Sequence, residues 1–315
     1  MPASALTEAI RRVVAGQSLT ASQTTEAFDV IMRGEGTPSQ IGALLAALAL
    51  KGETAAEVAG GARAGTFNIS TAAALVAAGA GVRIAKHGNR SHSTRCGSAD
   101  VLEALGVDIL PSQKVMRRML DRAGIVFMFA PAMHPAMRHV AAIRRELGVP
   151  TIMNLLGPLA NPASAGRQVV GVANPSRLEL MAGALAELGS VHALVVHGEP
   201  GLDEISPIGC TRVLEVRRGT VSEWMIDPAH YGMAAAPEDL TGGEPMDSAR
   251  RVLAVLEGRE RHGARSAVVL NAAAAIYVGG KAATYAQAIV VAADAVDTGK
   301  GMRALDALKQ ASAGA

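Results

Sequence analysis

Aromatic side chains are nearly missing from this chain: Phe, Trp and Tyr make up 3% of its 315 residues. The core must therefore be filled by Ala, Val, Leu, Ile and Met, a set rich in helix formers. Cysteine is almost as scarce, with Cys96 and Cys210 alone. Two cysteines cannot build a disulfide framework, and no Cys/His spacing suits zinc, so a reducing compartment is expected. Neither sign of charge dominates. Thirty basic and 28 acidic residues leave a net charge of +2, which argues against nucleic-acid binding by bulk charge. The chain also has no convincing membrane span. The uncharged stretch 65–82 is interrupted by Thr66, Asn68, Ser70, Thr71 and several Gly and Ala. The first residues, MPASALTEAIRRVV, carry charges at helical spacing and lack the apolar centre of a signal peptide. A cytoplasmic protein is expected.

What is there in quantity is apolar: 50% of residues are hydrophobic and 18% charged, enough for a sizeable core or two smaller ones. The first sixty residues read as helices only. Thr20 to Gln23, Thr37 to Gln40 and Thr54 to Glu57 all have capping-box spacing, and Pro38 stands where a first helical residue belongs. From about residue 65 short β-rich runs (82–85, 125–129, 168–172, 193–197) alternate with helical segments (99–105, 135–147, 177–188). That alternation predicts an α/β fold whose mostly parallel central sheet is flanked by helices, beside a small all-helical N-terminal domain. Residues 212–216 and 221–226, split by Arg218-Gly219, predict an antiparallel hairpin. The chain ends in helices at 264–277, 285–297 and 302–310. One junction is physically odd. The helical segment 54–63 runs straight into the helix at 71–80, where an α/β domain normally inserts a strand and a Gly-rich turn.

Four segments carry chemistry. Asn68-Ile69-Ser70-Thr71 stands at a helix N-terminus, where free N–H groups and the helix dipole attract phosphate, although an ordinary cap has the same pattern. The loop from Lys86 to Ser98 follows a strand and concentrates cations, hydroxyls and glycines, a mixture suited to a phosphate or pyrophosphate. Asp203-Glu204, just beyond the strand ending at His197, can hold Mg²⁺ together with substrate phosphates. On the helix after His134, Arg144 could fork onto a carboxylate, though an Arg on a helix is usually surface. The stretch 154–162 reads as a rigid structural turn, His192 and His197 as satisfied core histidines, and Met116 and Met119 as one apolar helix face. Neither cysteine has a base partner in the sequence, so no nucleophile is assigned.

Together these segments resemble the anthranilate phosphoribosyltransferase family. The match is carried by TFNISTAAA from Thr66, KHGNRSHSTRCGSADVLEALG from Lys86, HPAMRHVAAIRRELGVPTIMNLLGPLANP from His134 and VVHGEPGLDEIS from Val195, in that order and over almost the whole chain. The resemblance implies a helical domain at 1–64, with a segment near 135–165, and an α/β phosphoribosyl-binding domain at 65–134 and 166–315. It implies 5-phosphoribosyl 1-pyrophosphate (PRPP) as donor, anthranilate as acceptor, Mg²⁺ as two ions with PRPP bound, tryptophan biosynthesis as the pathway and a homodimer. Carried over by position, the PRPP set is Asn68, Ile69, Ser70, Thr71, Lys86, His87, Gly88, Asn89, Arg90, Ser91, His92, Ser93 and Thr94, with Thr66 and Ser98 beside them. Ser70, Asp203 and Glu204 would hold the metal, with Lys86 the main fixed charge at the phosphates. Asn89 and Arg144 would contact anthranilate, Arg144 at its carboxylate, and His87 and His134 would line the acceptor path. The chain departs from the family at the odd junction: the strand and Gly-Thr-Gly-Gly-Asp loop expected ahead of Thr66 are absent. Two other activities share the fold. A pyrimidine nucleoside phosphorylase would have no use for the acidic pair, and a non-catalytic nucleic-acid-binding relative should be strongly basic.

Overall fold

The computed structural model describes residues 4–54, 68–90, 96–149, 151–154, 156–157 and 159–313. Expectations that fall on Thr66, on Ser91, His92, Ser93 and Thr94, and on most of the segment 54–63 lie outside the described residues.

Helix α1 (Ala5–Val14) falls in the expected helical stretch, and α2 (Ala21–Met32) and α3 (Pro38–Lys51) form as the caps at Thr20 and Thr37 predict. Thr20 and Thr37 each accept from the backbone N–H three residues on, and Gln23 and Gln40 return the bond, so two orphan donors are satisfied at each start. Leu6, Ala9 and Val13 on α1 face Ile41, Leu44, Leu45 and Leu48 in one apolar cluster.

Helix α4 (Ile69–Gly79) is buried on nearly every side, as befits its Ala-rich sequence. At its end Gly79 lies against the backbone of Lys300, where a Cβ would come within 2.5 Å of the carbonyl group. Then follow β1 (Ile84–Gly88), α5 (Ser98–Ala104), α6 (Gln113–Ala123), β2 (Ile125–Phe129), α7 (Ala130–Met133) and α8 (Arg138–Leu147). Strands β1 and β2 pair in parallel, with Lys86 opposite Phe127. This pairing corrects the expected strand at 82–85. Lys86, His87 and Gly88 continue the ladder against Phe127, Met128 and Phe129, so they are strand residues and the loop begins at Asn89. The helix expected at 135–147 is a 3₁₀ turn, Pro135–Met137, followed by α8.

A second sheet takes β3 (Arg167–Gly171), β4 (His192–Gly198), β5 (Thr211–Arg217) and β6 (Thr220–Ile226), with α9 (Leu178–Glu187) joining β3 to β4. Here β3 and β4 are parallel, and β5 and β6 form the expected antiparallel hairpin. Arg218 and Gly219 both have positive φ (47° and 84°), the turn whose twist suits a two-residue hairpin. The α/β class holds, but in place of one mostly parallel central sheet the described strands form two small sheets, in which β1–β2 and β3–β4 pair in parallel and β4–β5 and β5–β6 antiparallel. The chain closes with α10 (Pro245–Leu256), α11 (Gly263–Val278), α12 (Tyr285–Asp297) and α13 (Lys300–Ser312). No helix among the described residues is long and apolar enough to cross a membrane.

Strand β4 is buried on both faces, and its alternation sorts two cores. Leu194 and Val196 join the cluster built on α4, α11 and α13, while Ala193 and Val195 join the cluster of α1–α3 and α8. The C-terminal ends of β1, β3 and β4 carry Gly88, Gly171 and Gly198, and the chemistry-bearing loops leave from there.

Candidate active site

The acidic segment is brought to the start of α4. Asn68 does not cap that helix with its side chain; its amide donates instead to the Cys96 carbonyl at 3.2 Å. The Ser70 N–H is thereby left for Glu204, whose Oε1 accepts it at 3.2 Å. The Ser70 hydroxyl accepts from Lys86 Nζ at 3.1 Å. Three segments far apart in sequence thus meet: Ser70 from α4, Lys86 from β1 and Glu204 from the loop after β4.

Burial governs the electrostatics. It pushes the Lys86 ammonium down to about 8, with the Glu204 carboxylate opposing. It pushes the Glu204 carboxyl up to about 8, aided by repulsion from Asp203 and resisted by Lys86 and the Ser70 N–H. Asp203 is also raised by burial. Glu204 Oε2 and Thr71 Oγ1 are buried with no hydrogen-bond partner. A buried carboxylate oxygen with nothing to bond is costly unless a cation or donor arrives. The side chain of Ile69 is wholly buried, so only its backbone could meet a ligand.

The acidic loop is held close by glycines. A Cβ on Gly171 would lie 1.6 Å from the Asp203 carbonyl oxygen, and one on Gly198 2.5 Å from that of Glu204. Gly198 and Leu202 exchange N–H···O bonds at 2.9 and 2.6 Å, cinching the turn before the acids.

Beside Lys86, His87 Nδ1 lies 3.2 Å from the Gly157 carbonyl, which fixes Nδ1 as the protonated nitrogen. Its ring meets His134 edge-on with centroids 5.0 Å apart. The Nε2 atoms of both histidines are buried and unpartnered. Burial, and then His134, hold His87 below its ordinary value, with the Gly157 bond opposing. Asn161 donates to the Ala85 carbonyl at 2.9 Å, so Gly157 and Asn161 both bond to residues of β1. Arg144 lies in the last turn of α8, half-buried and lowered by that burial.

The remaining loop residues divide. Asn89 accepts from the Arg90 N–H at 2.7 Å. The Arg90 guanidinium reaches Asp100 at 3.0 Å and Glu103 at 2.8 Å, and lies over the Phe129 ring. It is committed to α5, not turned toward the Lys86 site. Gly88 allows the end of β1 to touch Phe127 and Ser98. Ser98 is the first residue of α5. Gly97 occupies the cap position and donates to Asp100 Oδ2 at 2.8 Å. His192 and His197 are satisfied core histidines, bonded to Glu215 and to the Val172 carbonyl at 2.8 Å each.

Sequence reasoning missed Gly157, Asn161, Gly171 and Asn271. Asn271 alone left a signal, being the one polar residue in the run VVLNAAAA. Its amide bonds the backbone of Ile205, next to Glu204.

Comparison with known proteins gives the same outline. Residues 7–65 match the helical bundle domain of a glycosyl transferase family, and residues 56–302 match its a/b domain. The anthranilate phosphoribosyltransferase of Thermomicrobium roseum is 47% identical, covering 95% of both chains. That of Methanosphaerula palustris is 45% identical, covering 98% of both. The crystal structure of the Thermus thermophilus enzyme superposes with a TM-score of 0.89 at 38% identity, over 96% of this chain and 98% of that one. A Saccharomyces cerevisiae enzyme solved with PRPP and Mg shares the fold, with a TM-score of 0.84 at 24% identity, over 97% of each chain. The alignment to the Methanosphaerula enzyme spans 336 positions, more than the 315 residues this chain possesses. Positions filled in that relative are therefore empty here.

Proposed function

The chain belongs to the anthranilate phosphoribosyltransferases of this glycosyl transferase family, and from that membership we propose how its residues divide the work of moving the phosphoribosyl group of PRPP to the amine of anthranilate with release of pyrophosphate.

The C1–O bond to pyrophosphate breaks, its electron pair leaving with the pyrophosphate. The anthranilate nitrogen forms the new C1–N bond and gives up a proton. The transition state has oxocarbenium character, so the dominant need is a home for charge on the departing group. Lys86 supplies a fixed cation there. Ser70 supplies a hydroxyl, and the start of α4 supplies N–H groups and a helix dipole. The single observation that carries the reading is the meeting of Ser70, Lys86 and Glu204, with the second Glu204 oxygen buried and unbonded.

That orphan oxygen, the neighbouring Asp203 and the Ser70 hydroxyl make a hard oxygen set that fits Mg²⁺. Two ions are proposed with PRPP bound. When bound, the metal neutralises charge on the leaving pyrophosphate. Lys86 and Glu204 face each other across the site, and each favours the charged form of the other.

His87 and His134 are proposed to line the acceptor site, where their unpartnered Nε2 atoms await hydrogen-bond partners. Arg144 is assigned to the anthranilate carboxylate, and Asn89 to the same acceptor. The amine is already nucleophilic, so these residues position it and a strong base is not needed. Arg90, Gly88 and Ser98 act on the PRPP loop by shaping it. The division at 1–64 with 135–165, a homodimer and a cytoplasmic location complete the reading.

The test is the loss of anthranilate fluorescence with PRPP and Mg²⁺ present, for wild type and Glu204→Gln. Turnover that the substitution removes establishes the assignment. Equal rates in the two proteins take Glu204 out of the site.

A further inference from the structure

Helix α11 is among the most apolar in the chain, yet at its middle stands Asn271. Its Oδ1 accepts from the Ile205 N–H at 2.9 Å, and its Nδ2 donates to the Ile205 carbonyl at 2.8 Å. The same Nδ2 donates its other hydrogen to the Ala267 carbonyl, one turn back on α11, at 2.9 Å. The amide orientation is fixed by this set, because the flipped amide would oppose nitrogen to N–H and oxygen to two carbonyls. One side chain thus satisfies both backbone groups of Ile205, as a neighbouring strand would.

The position of Ile205 gives this clamp its meaning. The Ile205 N–H belongs to the peptide unit that ends Glu204, and the Ile205 carbonyl to the next. Both peptide planes flanking the residue are therefore set from α11. On the other side of the acids, Leu202 is tied to Gly198 in both directions. Asp203 and Glu204 are thus a two-residue span between two pinned points, with Gly171 and Gly198 allowing the backbone to lie flat beneath them. Helix α11 also packs along α4, whose Ser70 N–H meets Glu204. One helix therefore sets both the phosphate-side helix and the acidic span.

We infer that Asn271 is a positioning residue for the divalent-cation site at Asp203 and Glu204, acting through the backbone of Ile205 and touching neither metal nor substrate. The inference rests on the metal reading of the acidic pair given above. Groups that orient metal ligands commonly cost metal affinity by about 10-fold or more when removed. Stability alone would not produce that effect selectively.

The experiment is Mn²⁺ uptake by the whole protein, read by electron paramagnetic resonance, for wild type, Asn271→Leu, Asp203→Asn and Tyr285→Phe. Tyr285 donates to the Leu270 carbonyl on the same helix at 2.9 Å and is buried, so its loss perturbs α11 without touching the acidic span. Asn271→Leu should weaken Mn²⁺ binding about 10-fold, and raise by a similar factor the Mg²⁺ needed for half-maximal rate. KM for anthranilate should stay at the wild-type value, and Tyr285→Phe should bind Mn²⁺ normally. A folded Asn271→Leu that binds Mn²⁺ as wild type does, or a Tyr285→Phe that loses it equally, overturns the inference alone. A wild type that takes up no Mn²⁺, with Asp203→Asn unchanged, overturns the metal reading and this inference with it. Amide exchange in the wild type gives a check that no folding defect can spoil. The Ile205 N–H should exchange as slowly as the core of α11, and rapid exchange would refute the clamp.

Discussion

Gly171 ends strand β3 directly beneath the backbone of Asp203, leaving no space for even a methyl group between them. The contact is backbone to backbone, so no flexible side chain can yield. Gly171→Ala should fold, because its strand and its pairing with Val196 remain, but the acidic span must lift. Displacements on the order of 1 Å in a catalytic constellation cost about 100-fold in rate. The check is kcat for Gly171→Ala against its thermal melting. A rate near wild type in a folded variant would show that the span tolerates the shift.

Arg90 offers a sharper contest, because sequence resemblance and geometry assign it differently. If its guanidinium works by pinning the loop to α5, then Glu103→Gln should raise KM for PRPP just as Arg90→Gln does, and the double variant should be no worse than either. If Arg90 instead grips PRPP, Glu103→Gln releases it, and KM for PRPP falls or holds. Steady-state kinetics on the three variants separates these outcomes.

His192 predicts the acid side of the stability curve. It is buried in β4 among Glu215 and Arg217 of β5, Arg167 of β3 and Tyr277 of α11. Burial, then Arg217, hold its imidazole below the ordinary 6.5, with Glu215 opposing. The unfolded chain therefore takes up a proton that the folded chain resists. The stabilisation is present above pH 6.5 and is lost as pH falls below it. Melting temperatures between neutral and acid pH should drop more steeply for wild type than for His192→Gln, whatever their absolute values. Parallel curves would acquit His192.

The shortfall against relatives carries its own prediction. If the proposed site holds pyrophosphate without the strand and Gly-rich loop expected ahead of Thr66, then Ser70, Lys86 and the start of α4 should carry the binding. KM for PRPP should stand above that of the Thermomicrobium enzyme, while KM for anthranilate matches it. Grafting that relative's missing segment ahead of Thr66 should lower KM for PRPP. A graft that folds and leaves KM unchanged would mean the remaining groups suffice.

The legible parts of this molecule were local. Capping boxes at Thr20 and Thr37 announced α2 and α3 because a cap is written within four residues. The hairpin at Arg218-Gly219 was announced by its turn for the same reason. The clusters at Asn68–Thr71, Lys86–Ser98 and Asp203-Glu204 stood out as polar groups dense in short spans, and three of their members do meet. Long-range facts were hidden. Strand pairing to β2 decided that Lys86, His87 and Gly88 lie in β1, and no local pattern records that partner. The commitment of Arg90 to Glu103, the shelf of Gly171 under Asp203 and the clamp of Asn271 on Ile205 join residues whose spacing in sequence has no period to betray it.

The N-terminal cluster that buries Leu44, Leu45 and Leu48 is completed by Val140 and Ile143 on α8 and by Val170, Val195 and Val216 in the second sheet. During synthesis α1–α3 leave the ribosome long before Val216 is made. At about 5–20 residues per second the delay is on the order of ten seconds. Over that interval the nascent chain holds an unfinished apolar face open to water. A surface that is core in the finished protein is thus, for part of every molecule's life, an exposed apolar face.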